Sequence, residues 1–205
     1  MPELESGQPI DEGDRDCWIV TYTGRRFHPL DPKPEEINIR DIAHALSNMP
    51  RFTGHTKEFY SVAQHSYLVS CLSRPNELFG LLHDASEAYL CDISTPVKHS
   101  PVFDGYREAE KYLQNMILLT YGFRSFDMPN SVRRADIIMG VVEGRKFMPE
   151  HKGAFWTDFR SDDGFYADDA FIKITVWDHK KAENMFLSRW EELTEKLIDG
   201  VCPIM

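Results

Sequence analysis

Residues 78–90 read LFGLLHDASEAYL, an apolar helical pattern into which His83, Asp84 and Glu87 are set. The spacing predicts a helix from about Glu77 to Leu90. An aspartate inside such a pattern is rarely buried unless it is paired or bound to a metal. Adjacent helical residues point about 100° apart, so His83 and Asp84 can both reach one ion over the ridge between them. Glu87 follows His83 by four residues and Asp84 by three, which puts it on the same face one turn on. Taken alone, this face also reads as a half-exposed polar stripe.

Two further segments repeat the anomaly. A helix is expected from Ser61, a suitable N-cap, to Leu72. In it His65 shares a face with Val62, Leu68, Val69 and Leu72 and so points towards the core. By itself it reads as a satisfied core histidine. In VRRADIIMGVV (132–142), Asp136 falls on a face with Val132 and Met139. By itself it reads as the partner of Arg133 or Arg134. One account covers all three helices together: a shared cation in the middle of a bundle. Two imidazoles and two carboxylates suit a first-row divalent metal that keeps open positions for water.

The rest of the chain supplies the bundle. CWIVTYTGRRFHPL (17–30) alternates apolar and polar residues around Thr23-Gly24 and reads as a short β-hairpin. NIRDIAHALSNM (38–49) carries Ile39, Ile42, Ala43 and Leu46 at helical spacing, and Pro50 stops it. Residues 51–60 read as a polar loop. Residues 92–101, with Pro96 and Pro101, read as irregular. Helices are expected over about 104–120 and 129–147. Asp178 is the expected cap of a last helix whose stripe is Ala182, Met185, Phe186, Trp190, Leu193 and Leu197. Residues 149–170 read as a long loop or lid. The fold class is therefore all-α with a small N-terminal β-hairpin. Residues 1–15 are expected to be a flexible acidic tail, and 16–205 one domain.

Bulk properties narrow the function. The chain has 205 residues, 42% of them apolar, and a mean hydropathy of −0.42. No apolar run approaches the ~20 residues of a membrane helix. The net charge of −10 argues against a broad nucleic-acid footprint, which needs a basic face. A small anionic substrate remains compatible, since a pocket can be locally positive. Cys17, Cys71, Cys91 and Cys202 form no CxxC pair, and a reduced, cytoplasmic setting is expected.

His65, His83-Asp84 and Asp136, taken with their flanking strings, resemble the ligand set of the HD-domain phosphohydrolases. The resemblance spans roughly residues 18–147. It rests on RFTGHTKEFYSVAQHS (51–66), LLHDASEAYLCDISTPVK (81–98) and RRADIIMGVVEGRKF (133–147), which look like the 5′-deoxynucleotidase branch and the related phage-type deoxynucleoside triphosphohydrolases. It implies an HD-domain helical bundle in which His65, His83, Asp84 and Asp136 ligate one divalent ion: Mn, Co, Zn, Fe, Ni or Mg. Only His99 lies where two-metal relatives carry an extra histidine pair. Glu87 and Asp92 would be the catalytic acids, positioning water and handling protons. Arg51 would hold the substrate phosphate, and Lys98 would stand near it. Phe52 falls where relatives often carry tryptophan against the sugar. His55, in the same loop, is a further candidate for the pocket lining. Two other readings stay open: Arg51 as a partner of Glu58, and Lys98 as a solvated surface lysine. The implied activity is release of the 5′-phosphate from (deoxy)nucleoside monophosphates. The alternatives are triphosphate release from deoxynucleoside triphosphates and a non-catalytic nucleotide-binding module. A homodimer is implied by the resemblance alone.

Overall fold

A computed structural model describes residues 17–154, 156 and 174–198. The expected 1–15 tail lies outside the described residues, as does Cys202. Of the expected 149–170 loop or lid, only 149–154 and 156 are described.

The hairpin forms as its alternation predicts. β1 (Ile19–Val20) pairs antiparallel with β2 (Arg26–Phe27), and Gly24 supplies the positive φ of the turn. Two strands cannot sustain themselves in water, so the hairpin leans on its neighbours. Phe27 is fully buried and stacks on Tyr89. The Asp41 carboxylate accepts from Thr23 N and Thr23 Oγ1, and Tyr22 stacks on His44 at 3.6 Å.

The rest is helical: α1 (Ile39–Asn48), α2 (Val62–Leu72), α3 (Glu77–Leu82), α4 (Glu87–Leu90), α5 (Thr95–Lys98), α6 (Asp104–Thr120), α7 (Asn130–Phe147) and α8 (His179–Ile198). α2 is the axis of the bundle and touches α1, α3, α7 and α8. Its expected cap is in place, with Gln64 N donating to Ser61 Oγ. Asp178 caps α8 as expected, accepting from Lys181 N. The α8 stripe buries Ala182, Phe186 and Leu193 against the shared core. Gln64, buried on α2, accepts from Trp177 N and donates to Thr175 O, which straps the approach to α8 onto the axis. Among the described residues no helix is long and apolar enough to cross a membrane.

Two local expectations need correction. Residues 92–101 are not wholly irregular, because Thr95–Lys98 forms α5, with Pro96 in its first turn where a missing N–H costs nothing. More consequentially, the helix expected over 77–90 is interrupted. α3 ends at Leu82, α4 begins at Glu87, and the residues between close tighter three-residue turns: Ala85 N donates to Leu82 O, and Glu87 N to Asp84 O. The cause is Gln114 of α6. Ser86 N, which a regular helix would aim at Leu82 O, donates instead to Gln114 Oε1, and Gln114 Nε2 donates to Leu82 O. A side chain thus inserts into one rung of the helical ladder. Local periodicity carries no sign of a glutamine 28 residues away.

Gln114→Leu keeps the volume but leaves the buried Ser86 N–H without its partner. It is expected to lower unfolding stability by about 1–3 kcal/mol, read from denaturant midpoints. An unchanged midpoint would show that the segment closes into a regular helix unaided.

Candidate metal centre and its charged surround

The interruption at residues 83–86 places His83 at the C-terminal end of α3 and turns Asp84 to the same point in space. His83 Nδ1 lies 2.8 Å from Gly80 O, one turn back. That carbonyl can only accept, so Nδ1 carries the proton and Nε2 is left bare. His65 is held in the same way from the other side. Its Nδ1 lies 2.8 Å from Glu143 Oε1, and both groups are fully buried. The two Nε2 atoms face each other at 3.3 Å. Asp84 Oδ2 stands 3.2 Å from His83 Nε2 and 3.8 Å from His65 Nε2. Asp136 Oδ1 stands 3.1 Å from His65 Nε2 and 3.8 Å from His83 Nε2.

Four electron-pair donors therefore converge with no hydrogen between them when both histidines are neutral. Such an arrangement repels itself unless a cation occupies its centre. The donor ligands of a tetrahedral ion with bonds of ~2.0–2.1 Å stand about 3.4 Å apart, within the range of these separations. The ligand atoms of His65, His83 and Asp84 all lie within 4.8 Å of one another. Asp136, 38% exposed at its side chain, completes the ring from α7. The residues present thus fit a divalent ion. Without an ion, protons take its place. Burial opposes charging of His83, but Asp84 and Asp136 overcome it and hold its pKa well above the usual value. Burial and Arg51 likewise oppose charging of His65, and Glu143 and Asp136 outweigh them. Against the penalty of burial, the same histidines hold Asp84 down at about 2 and Asp136 well below the carboxylate range.

Arg51 does not pair with Glu58. Its Nε lies 3.1 Å from Glu143 Oε2, without hydrogen-bond alignment, and its Nη1 lies 3.7 Å from Asp84 Oδ2. Burial works against the guanidinium charge, but Glu143, Asp84 and Asp136 hold it cationic. Glu143 is the residue that the sequence reading missed. It takes Tyr60 OH at 2.7 Å, His65 Nδ1 and Arg51 together, at zero exposure, and His65 and Arg51 keep it ionised against its burial. A signal was present, since Glu143 follows Asp136 by seven residues and so lies on the same face two turns on. Tyr60, expected to be packing, is also a donor to this carboxylate. Asp136 faces the histidines rather than Arg133 or Arg134, both of which are exposed.

Lys98 is not a free surface lysine. Its Nζ lies 2.7 Å from Glu110 Oε1 and 3.8 Å from Glu87 Oε1. Glu87 is buried and its Oε2 has no hydrogen-bond partner. Burial first, then Asp84 and Asp92, push its pKa well above the carboxylate range. Asp92 is half-buried and also raised, by burial and by Asp84 against the pull of Arg51 and Lys98. His55, expected in the lining, is exposed in the loop between α1 and α2. Phe52 and Thr53, in that loop, adopt left-handed backbone (φ 53° and 55°), which costs of order 1–3 kcal/mol per residue. Arg51 N donating to Tyr60 O and Lys57 N donating to Phe147 O close the loop around them.

No family model matches the chain. It is 36% identical over 179 residues to the uncharacterized protein YfdR of Escherichia coli, covering 87% of this chain and 96% of YfdR. It is 40% identical over 139 residues to an uncharacterized protein of Rhodobacter capsulatus, covering 63% of this chain and 70% of that protein.

Two measurements address the donor set. Asp84→Ala is expected to abolish stoichiometric binding of a divalent ion, and Glu143→Gln to weaken it by about 10–100-fold, both read by titration of chelator-treated protein. Retained stoichiometry in Asp84→Ala would remove it from the ligand set. The pH dependence has a definite sign. The raised histidines stabilise the metal-free fold below about pH 6.5, and that contribution is lost as pH rises through their folded pKa values. The depressed aspartates stabilise it above about pH 4, and that contribution is lost on acidification. Melting of chelator-treated protein should therefore be most resistant between about pH 4 and 6.5 and weaken as pH rises beyond that window. Added metal should reverse the alkaline loss, because it displaces the protons.

Proposed function

The chain belongs to the family of Escherichia coli YfdR, and we propose that it is a metal-dependent phosphohydrolase of the HD superfamily acting on nucleotides. The reaction proposed is hydrolysis of the 5′-phosphate of (deoxy)nucleoside monophosphates. One observation carries the reading: four bare electron-pair donors converge beside a half-buried arginine and a buried, partly unpaired, protonation-prone glutamate.

The roles follow from charge and position. A divalent ion held by His65, His83, Asp84 and Asp136 would acidify a water and neutralise charge on a phosphoryl oxygen. Arg51 presents a planar fork of donors to the phosphate. Its existing partners, Glu143 and Asp84, satisfy it only loosely, at 3.1 and 3.7 Å, so it retains donors to offer. Glu87, its pKa pushed well above the carboxylate range by burial and by Asp84 and Asp92, is suited to carry and exchange a proton, and Lys98 and Arg51 limit the rise. Asp92, also raised, is suited to protonate the leaving ribose oxygen. Phosphoryl transfer asks mainly for positioning and electrostatics, so this short list suffices. The exposed thiols of Cys17, Cys71 and Cys91 accord with the reduced cytoplasm as the place of action.

The test is a panel of ribo- and deoxynucleoside mono- and triphosphates with several divalent metals added back to chelator-treated protein. Phosphate release from monophosphates supports the reading. Release of intact triphosphate would move it to the triphosphohydrolase alternative, and binding without turnover to a non-catalytic module. Glu87→Ala is expected to keep the metal and slow turnover by at least ~10². Unchanged turnover would remove Glu87 from the reaction.

A further inference from the structure

We propose that Trp156, outside the charged constellation, is a positioning residue that fixes Phe52 as an aromatic wall of the substrate site, and so favours phosphate esters carrying a nucleoside. The inference rests on the proposed function.

Three observations meet at Trp156. First, it is seated on Gly144, the residue after Glu143. A Cβ at position 144 would stand 2.6 Å from Trp156 Cγ, 2.7 Å from Cδ2 and 2.9 Å from Cβ. Those atoms are the root of the indole and not its movable end, so any side chain at 144 must displace the ring. Secondly, Trp156 O accepts from Arg145 Nε at 2.7 Å, which ties its backbone to the same turn of α7. Thirdly, its ring meets Phe52 edge to face, with centroids 5.9 Å apart at 86°.

Phe52 needs such a support. A bulky residue at φ 53° holds that conformation only where its surroundings impose it. Its ring also lies 5.6 Å from the guanidinium carbon of Arg51. Arg51 is the cation that faces the donor cluster. A phosphate bound there would carry its organic part past the neighbouring residue, and that residue is half-buried Phe52. A flat aromatic surface beside a phosphate-facing arginine recognises a nucleoside by stacking, with little selectivity among bases. Gly144 therefore links the metal-bearing helix to this wall, because Glu143 turns inward to His65 while the bare backbone at 144 receives Trp156.

The experiment uses the full chain, loaded with the metal that supports most turnover. KM and kcat for a deoxynucleoside 5′-monophosphate are compared with the inhibition constant of inorganic phosphate, which has no organic part. Trp156→Ala and Gly144→Ala are each expected to raise nucleotide KM by about tenfold, with the phosphate inhibition constant unchanged. Trp156→Phe should restore most of the loss. A merely structural role would instead lower the melting temperature and kcat and raise both constants together, and that result overturns the inference. So does an unchanged nucleotide KM in both alanine variants. If the wild-type chain turns over no nucleotide with any metal, the proposed function fails first and the inference with it.

Discussion

The arrangement of the centre depends on where two protons sit. Gly80 O and Glu143 each lie against one histidine Nδ1, and that leaves both Nε2 lone pairs facing each other at 3.3 Å. Two carboxylates then close in on the same point. Everything around it serves to hold mutually repelling groups together. The interrupted α3–α4 segment turns His83 and Asp84 inward, α7 brings Asp136, and Arg51 offsets the surplus negative charge. A buried set of this kind costs stability unless each member is satisfied, and here Arg51 Nε, Glu87 Oε2 and Glu143 Oε2 have no hydrogen-bond partner, so the fold holds the set only in part before any ligand arrives.

Glu143 shows how this economy works. One carboxylate receives an imidazole, a phenol and a guanidinium, all within α7's reach of α2 and the loop before it. Without it, His65 would be free to change tautomer and Arg51 would fall under the influence of Asp84 and Asp136. Lys98 is shared in the same fashion between two carboxylates. Its closer partner is Glu110 rather than Glu87, so Glu87 keeps one oxygen unpaired and stays readily protonated.

Much of this was legible in the chain. The hairpin, the Ser61 and Asp178 caps and the inward face of α7 follow from local pattern, and the structure has them; the inward face of α2 holds as far as Val69, while Leu72 at its end is 44% exposed. His65, His83, Asp84 and Asp136 could be picked out because each breaks an apolar face. What stayed hidden has a common cause: it depends on partners distant in sequence. The rung broken by Gln114 lies 28 residues away from it, and the helix expected over 77–90 looks continuous without that side chain. Glu143 was passed over because a charged residue near the end of a helix ordinarily faces solvent. Its neighbours are 83 and 78 residues back. His55 shares its loop with Arg51, yet loop membership does not fix direction, and it faces outward.

The same separations give the site a place in the order of folding. His65 and His83 are 18 residues apart, within one helical hairpin, whereas His65 and Glu143 are 78 apart. Closing the longer loop costs about 1.3 kcal/mol more chain entropy. The imidazole pair can therefore meet in a local, short-lived hairpin, but only the arrival of α7 supplies Glu143 and Asp136. A chain that has folded only as far as α6 has His83 set by Gly80 O but His65 without the carboxylate that orients it. Completion of the centre thus reports completion of the bundle.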